Sequence, residues 1–349
     1  MLKNTRDPEL ALWQSAVDEV VAKKGTGVQA QDISSGTVIS RPDVSQDNMV
    51  AAAALDVQAA EQGKATLMPP PTHEAAQDIG STVRYCSTLA RNIAKDAIRM
   101  DPTGVSVNKA QLTAKMGDCD PRWAEAAMIY AQFLASRQTP SYRVWKQIGD
   151  FVDNSSLKAK SRVAIVGDWG TGQDEAKTVL GQIARKYPDI VIHLGDIYYS
   201  CTDFEAINYF YNVWNSELDL TKVKTFNLAG NHDMFSGGAP FYRLLDRLGQ
   251  PASYFCLRNE KWQIIGLDTG YNDRVPGGNV PTFLQDSEVA WLKDKIHTAG
   301  GRRTILLSHH QLFSAFEDIT TGASLNAHLL SQVQDILPFV DIWMWGHEH

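Results

Sequence analysis

Apolar residues recur at two different spacings along this chain, and the spacing changes near residue 160. In the first part they repeat every three or four residues, as at Leu10, Trp13 and Val17, which predicts amphipathic helices. Aspartate followed by proline, at 7–8 and at 120–121, is typical of a helix N-cap and first turn. Residues 25–72 are rich in polar residues and alanine without a steady apolar period, so we expect a mobile connector there. We therefore predict a mainly α-helical region over 1–158, with helices from residue 8, over 74–100 and over 123–134.

Short, continuous apolar runs alternate with helical stretches after residue 160. Runs of this kind are typical of strands that are buried on both faces of a sheet. We predict strands at 163–166, 190–194, 225–228, 262–267, 304–307 and 342–345. The stretches between them predict helices at 175–187, 204–214, 241–248, 287–297 and 325–337. Together these elements predict an α/β domain over residues 159–349.

Composition and charge narrow the range of partners. A formal net charge of −7 and an isoelectric point near 5.7 argue against a broad basic surface for nucleic acid or anionic membrane. No run approaches the ~18 apolar residues of a membrane span, and the N-terminus lacks the apolar core of a signal peptide. We therefore expect a cytoplasmic protein with no nucleic-acid partner and no membrane span. The four cysteines lie far apart without a CxxC pair, so we expect buried free thiols.

Five of the predicted strands are followed at once by side chains that can bind metals. The five segments read GDWG at 167–170, GDIYY at 195–199, GNHD at 230–233, SHH at 308–310 and GHEH at 346–349. In open α/β sheets, sites form beyond the carboxyl ends of the strands, so we expect these segments to converge. Oxygen ligands mixed with imidazoles suit iron, zinc or manganese better than calcium or a thiolate-rich zinc site. The sequence therefore predicts a two-metal hydrolytic site.

In this order the five segments resemble the motifs of the metallophosphoesterase, or calcineurin-like, superfamily, over about residues 160–349. Gly170 stands where the wider superfamily usually has histidine, and Tyr199 follows Asp196 by three positions, as in the purple acid phosphatases. The resemblance implies an α/β fold with a β-sheet sandwich flanked by helices. Because family members continue beyond the last motif, we also expect this chain to be C-terminally incomplete.

The resemblance also implies seven ligands for two metal ions, the first normally ferric iron and the second iron, zinc or manganese. The first ion takes Asp168, Tyr199 and His349, the second takes Asn231, His309 and His347, and Asp196 bridges them. The residues alone leave two choices open, because Tyr198 competes with Tyr199 and His310 competes with His309. His193 precedes the end of its strand, so we expect it to be a core residue.

In the family, a hydroxide that bridges the two metals attacks phosphorus, so no protein nucleophile is required. The resemblance places His232 near the leaving group, where it assists as a general acid, with Asp233 orienting its imidazole. Asn231 and His310 are expected to contact the substrate. The small enzymes of the family carry a second catalytic histidine where this chain reads Phe-Glu-Asp at 316–318. One of these two acids is a candidate proton donor if burial raises its pKa.

Three functions are consistent with this site. A phosphomonoesterase of the acid phosphatase type, acting on phosphate esters, is expected because the GDxG and GDxxY forms point to the phosphatase branch. A phosphodiesterase is the alternative for the same chemistry. A non-catalytic scaffold, in which the N-terminal helical region supplies protein contacts, is the third reading, and the presence of all seven ligands argues against it.

Overall fold

The computed structural model describes residues 7–24, 79–98, 122–273, 282–316, 318–319 and 322–348. The chain divides into two compact units, Met1–Arg137 and Gln138–His349. The expected connector at 25–72 and the Asp-Pro pair at 120–121 lie outside the described residues. In the part of the chain that the structure describes, no helix is long and apolar enough to cross a membrane.

Three helices make up the described part of the first unit: α1 (Pro8–Lys24), α2 (Ile79–Ile98) and α3 (Arg122–Ser136). The predicted N-cap of α1 is present, because Asp7 Oδ1 accepts hydrogen bonds from the N–H groups of Glu9 (2.8 Å) and Leu10 (3.0 Å). Trp13 stacks on Trp123 with ring centroids 6.1 Å apart, inside a core to which all three helices contribute. The helical apolar period therefore identified this core correctly.

Two of the four cysteines, Cys201 and Cys256, are buried free thiols, as expected. Burial raises the pKa of the Cys256 thiol to about 11, so this thiol is uncharged at neutral pH. The expectation was wrong for Cys86, which is disulfide-bonded. The remaining cysteine, Cys119, lies outside the described residues. Spacing along the sequence could not reveal this bond, because a disulfide depends on the separation of Cα atoms in space.

The described part of the second unit contains strands in two sheets, with helices between them. The strands are β1 (Val152–Asp153), β2 (Val163–Val166), β3 (Ile190–His193), β4 (Lys224–Asn227), β5 (Phe255–Arg258), β6 (Trp262–Gly266), β7 (Arg303–Ser308) and β8 (Ile342–Trp345). The α-helices are α4 (Asp174–Ala184), α5 (Asp203–Glu205), α6 (Asn212–Glu217), α7 (His232–Phe235), α8 (Ala239–Leu248), α9 (Asp286–His297) and α10 (Ala327–Val333). A π-helix, Ala206–Tyr211, joins α5 to α6, and a 3-10 helix, Leu337–Phe339, precedes β8.

The two sheets form a sandwich. One has the strand order β1-β5-β6-β7-β8 and the other β2-β3-β4, and all neighbours are parallel except β5 and β6. Apolar side chains from both sheets share one core, including Ile192, Phe255 and Leu307. Helices pack on the outer faces in two further cores, one around Trp214 and one around Trp291. This arrangement confirms the predicted α/β sandwich flanked by helices.

All six predicted strands are present, and the sequence missed β1 and β5. Strand β1 has only two residues, and the four residues of β5 end in arginine. Neither strand therefore contains a long apolar run. Residues 138–158, which the sequence assigned to the helical region, pack with the second unit. For example, Trp291 Nε1 donates a hydrogen bond to the carbonyl oxygen of Asp150 at 2.9 Å. The packing boundary therefore falls between 137 and 138, ahead of the expected division at 158/159.

Candidate metal centre

The five metal-capable segments all follow strands, namely β2, β3, β4, β7 and β8. Three of their residues have left-handed backbone conformations, with φ of +54° at Asp168, +72° at Asp196 and +70° at His347. Non-glycine residues rarely adopt this conformation, and it is concentrated at functional sites, where the surrounding structure fixes it. The strand ends therefore turn abruptly and direct these side chains toward one place.

His309 lies at the middle of this place and is fully buried. Its Nδ1 is 3.1 Å from the carbonyl oxygen of Leu194, and because a carbonyl only accepts, the Nδ1 atom carries a proton. Its Nε2 lies 3.1 Å from Asn231 Oδ1, 3.2 Å from His347 Nδ1 and 3.4 Å from Asp196 Oδ2. In the neutral ring Nε2 has a lone pair, so lone pairs from four residues converge. Such an arrangement fits a cation.

The pKa of His309 also indicates that this place favours a positive charge. Burial alone lowers this pKa, but the carboxylates of Asp196 and Asp168 outweigh burial and raise it to about 9. The protein thus favours a proton at the point where the lone pairs meet. A metal ion satisfies the same requirement, and its ligands must then release their protons.

Two overlapping groups of ligand atoms share His309. Asp168, Asp196 and His309 form one group, and His309, His310 and His347 form the other, with the ligand atoms of each group within 4.8 Å of one another. Asp168 Oδ2 also accepts a hydrogen bond from the backbone N–H of His347 at 3.0 Å, which ties the first segment to the last.

The glycines in these segments allow close approach of backbone to ligand. A Cβ atom on Gly230 would lie 2.1 Å from Asp196 Oδ1, and one on Gly195 would lie 2.8 Å from His309 Nδ1. Gly195 also has φ of +113°, which L-amino acids with side chains rarely adopt. Any larger residue at either position would displace a predicted ligand.

Residues 161–349 match the family model of the calcineurin-like phosphoesterases. This chain belongs to that family. Among solved structures, a dimetal phosphatase from Danio rerio is similar, with 16% identity over 54% of this chain and 81% of that one, and a TM-score of 0.42. A second solved structure is 14% identical over 53% of this chain and 83% of that one, with a TM-score of 0.31. No curated protein sequence matches this chain.

Family membership makes the chain a metallophosphoesterase-fold hydrolase, and its ligand groups are consistent with two metal ions. The predicted ligands Asp168, Asp196, Asn231, His309 and His347 come together in the structure. The remaining predicted histidine ligand, His349, lies outside the described residues.

The structure places the Tyr198 hydroxyl at the two carboxylates of this phosphoesterase. The Tyr198 hydroxyl lies 3.2 Å from Asp168 Oδ1 and 3.4 Å from Asp196 Oδ2. Tyr199 contributes its backbone, because its carbonyl oxygen lies 2.6 Å from His232 Nδ1. Neighbouring side chains leave the backbone in different directions, and motif spacing alone could not decide between them. Both tyrosines stay candidates for the phenol ligand, because the hydroxyl of Tyr199 is buried as well.

His232, for which the sequence predicts a catalytic role, is buried beside Asp196. Its backbone N–H donates to Asp196 Oδ1 at 2.9 Å, and its Nε2 lies 4.0 Å from Asp196 Oδ2. Its Nδ1 carries the proton that it donates to the Tyr199 carbonyl, which leaves Nε2 directed at the metal centre. Burial lowers the pKa of His232, and the carboxylate of Asp196 opposes this effect.

Asp233 does not orient the His232 ring, contrary to expectation. Its carboxylate instead accepts hydrogen bonds from three backbone N–H groups, those of Asp196 (2.8 Å), Ile197 (3.1 Å) and Gly230 (2.8 Å). The sequence could not distinguish these targets, because a ring and a backbone N–H are equally available to an aspartate that follows a histidine. Asp233 therefore joins the segments after β3 and β4 and positions Asp196.

Glu205 is a positioning residue that the sequence analysis missed. This buried carboxylate accepts hydrogen bonds from the backbone N–H groups of Tyr199 (2.5 Å), Ser200 (3.1 Å) and Thr202 (2.9 Å). The Thr-x-x-Glu spacing at 202–205 is that of a capping box, and the structure contains one at the start of α5. Glu205 thus fixes the segment that presents Tyr198 and the Tyr199 carbonyl.

His310 is held at the edge of the centre by two side chains. Its Nδ1 lies 2.9 Å from Thr269 Oγ1, and its Nε2 lies 3.1 Å from Asp273 Oδ2. Its ring centroid is 4.6 Å from that of His347. Both ring nitrogens therefore have protein partners, whereas Nε2 of His309 faces the other ligands. This difference favours His309 as the ligand, and a substrate contact by His310 stays a prediction.

His193 is a core residue, as expected, packed against Trp169 and Phe210, and burial lowers its pKa to about 3.

Of the two acids considered as proton donors, Asp318 is exposed and accepts a hydrogen bond from the Gly322 N–H at 3.1 Å. It therefore lacks the burial that a proton donor there would need. Residue 317 lies outside the described residues.

Proposed function

We propose that this chain is a phosphomonoesterase of the purple acid phosphatase type, with iron at the first metal position and iron, zinc or manganese at the second. The observation that supports this most directly is the convergence of Asn231, Asp196 and His347 on Nε2 of His309. The phenol oxygen of Tyr198 beside Asp168 adds an oxygen donor of the kind that the purple-type branch uses.

The proposed chemistry divides between metals and protein. When bound, two metal ions supply positive charge to the phosphoryl oxygens and lower the pKa of a water molecule. Asp168 and Asp196 provide the negative charge that retains the ions, and Asn231, His309 and His347 complete the ligand set. Asp233 and Glu205 hold the backbone segments that carry these groups, so that little reorganisation is needed during reaction.

His232 is the proposed proton donor to the leaving group. Its Nδ1 is committed to the Tyr199 carbonyl, so the titrating position is Nε2, on the side of Asp196. Because burial lowers the pKa of His232, Nε2 holds a proton mainly in acid solution. We therefore infer that turnover is favoured at acidic pH, and general acid assistance of this kind contributes ~10²–10⁴-fold to rate.

The test compares p-nitrophenyl phosphate with bis(p-nitrophenyl) phosphate as substrates for the metal-loaded full chain. We expect faster hydrolysis of the monoester, with a maximum at acidic pH. Faster hydrolysis of the diester would establish the phosphodiesterase alternative instead. Asp196→Asn is the control, because removal of the central carboxylate should abolish both activities.

The scaffold alternative has its own test in the same experiment. We propose that the N-terminal helical region serves protein contacts in addition to catalysis by the second unit. If metal-loaded protein with two ions per chain hydrolyses neither substrate, the scaffold reading replaces the enzymatic one.

A further inference from the structure

A groove of about 790 Å³ lies between the edge strands β4 and β1, and its lining includes Val152, Thr225 and Arg247. We call it the edge groove. None of the described residues of the candidate metal centre lines it. We propose that the edge groove binds an extended acidic peptide, which adds as a further strand to the outer edge of β4. This inference does not depend on the proposed phosphatase activity.

The outer edge of β4 offers unpaired backbone groups to such a peptide. The N–H groups of Lys224 and Leu228 donate to β3 and its flanks, at Asp189 and His193, with distances of 3.0 and 2.9 Å. Because backbone groups alternate in direction along a strand, those of residues 225 and 227 face away from β3. In the described part of the chain, the N–H and carbonyl of Thr225 have no hydrogen-bond partner.

Gln250 shows how the adjacent outward groups of β4 are used. The backbone N–H of Asn227 donates to Gln250 Oε1 at 2.7 Å, and Gln250 Nε2 donates to the Asn227 carbonyl at 2.8 Å. A side-chain amide thus makes the pair of bonds that a neighbouring strand would make. Beyond this capped position the edge is open at Thr225, so a peptide strand would begin where Gln250 ends.

Strand β1 on the other side of the groove is also an edge. The Cys256 N–H donates to the carbonyl of Phe151 at 2.9 Å, so Phe151 faces β5. By the same alternation, the backbone groups of Val152 face away from β5, and Val152 lines the edge groove. Main-chain groups from two strands therefore border the groove, and strand addition to an exposed sheet edge is a common mode of peptide recognition.

The charges of the edge groove select an acidic peptide. Lys224 and Arg247 line it, and neither has a carboxylate partner among the described residues. The Arg247 guanidinium lies 4.8 Å from the ring centroid of Tyr211, which holds it over the groove. Among the described lining residues the one acid is Asp153, which already accepts hydrogen bonds on both oxygens from Ser155 and Ser156. A chain of net charge −7 thus presents two unpaired cations here.

The experiment measures fluorescence anisotropy of labelled peptides with alternating valine and glutamate, or valine and lysine, on the metal-loaded full chain. We expect the glutamate peptide to bind and the lysine peptide to bind at least about tenfold more weakly. Thr225→Pro should weaken binding about tenfold or more, because it removes the outward N–H and leaves the bonds to β3 intact.

Arg247→Glu should weaken binding similarly, and it remains informative if Thr225→Pro does not fold. Arg243→Glu is its matched control, since it makes the same charge change on α8 outside the groove lining. Equal binding of the two peptides, or unchanged binding by both groove variants, would overturn the proposal. Displacement of the peptide by inorganic phosphate would locate it at the metal centre and also overturn it. Concentration-dependent dimerisation that Thr225→Pro abolishes would identify a second copy as the occupant instead.

Discussion

His309 Nδ1 lies 3.1 Å from the carbonyl oxygen of Leu194, the last apolar residue before the Gly195-Asp196 turn. This hydrogen bond fixes the tautomer of His309 and points Nε2 at the other predicted ligands. We expect His309→Ala to lose at least one of the two metal ions per chain and most of the phosphoesterase activity. Elemental analysis of the purified protein measures the loss.

The control for that experiment is the neighbouring histidine. His310→Ala should retain both ions, because its ring nitrogens are bonded to Thr269 and Asp273. Its Michaelis constant should rise if His310 contacts the substrate. Metal loss in His310→Ala without loss in His309→Ala would reverse our assignment of the ligand.

The two adjacent tyrosines can be separated by single substitutions. Tyr198→Phe removes the hydroxyl that lies 3.2 Å from Asp168 Oδ1, so we expect weaker iron binding and a change in the visible absorption of iron-loaded protein. Tyr199→Phe keeps the backbone carbonyl that orients His232, so its effect should be smaller. A larger effect of Tyr199→Phe would support the ligand that motif spacing predicted.

Glu205→Gln tests how the segment after β3 is positioned. Glutamine keeps the shape of the side chain but replaces one acceptor oxygen with an amide donor, which would face backbone N–H groups. Because Glu205 is buried and accepts three such bonds, we expect the free energy of unfolding to fall by about 2–4 kcal/mol. Urea denaturation measures this change, and kcat should fall while metal content stays unchanged.

Glu260→Gln, in an exposed turn, provides the comparison for Glu205→Gln. Its unfolding free energy and kcat should match those of the unaltered protein. Equal behaviour of the two variants would remove the positioning role of Glu205.

Asp268 should make stability depend on pH. Burial raises the pKa of its carboxyl from 3.8 to about 6, so the folded state binds more protons than the unfolded state between these values. The free energy of unfolding should therefore fall as pH rises from about 4 to 6, by on the order of 3 kcal/mol. Asp268→Asn should flatten this dependence in urea titrations at several pH values. The control variant, Asp174→Asn at an exposed position, should leave the pH dependence of the unfolding free energy unchanged. An equal effect of the two variants would contradict the role of Asp268.

The cysteines give a chemical test of the fold. A disulfide at Cys86 consumes two of the four cysteines, so denatured, unreduced protein should show two thiols per chain and reduced protein four. Thiol titration with Ellman's reagent measures both. Four thiols before reduction would contradict the bond. Because structural disulfides persist mainly in oxidising compartments, two thiols would count against the cytoplasmic location that the N-terminus led us to expect.

Much of the fold could be predicted because its elements depend on local pattern. Strands β2, β3 and β8 are apolar runs bounded by turn residues, and such runs identify buried strands without reference to distant residues. Strand β1 could not be found this way, because its two residues form a strand only through pairing with β5, about a hundred positions later in the chain.

The sequence by itself determined the set of groups that meet at the metal centre. Strand periodicity located the strand ends, and the residues that follow them supplied oxygen and imidazole ligands. What only the tertiary structure decided was direction: the Tyr198 hydroxyl points at Asp168 and Asp196, and the Asp233 carboxylate points at backbone N–H groups instead of the His232 ring. Spacing fixes where a side chain begins, but the contacts of the packed chain fix where it points. The N–H groups of Asp196 and Ile197 that donate to Asp233 belong to a segment that only folding brings to it.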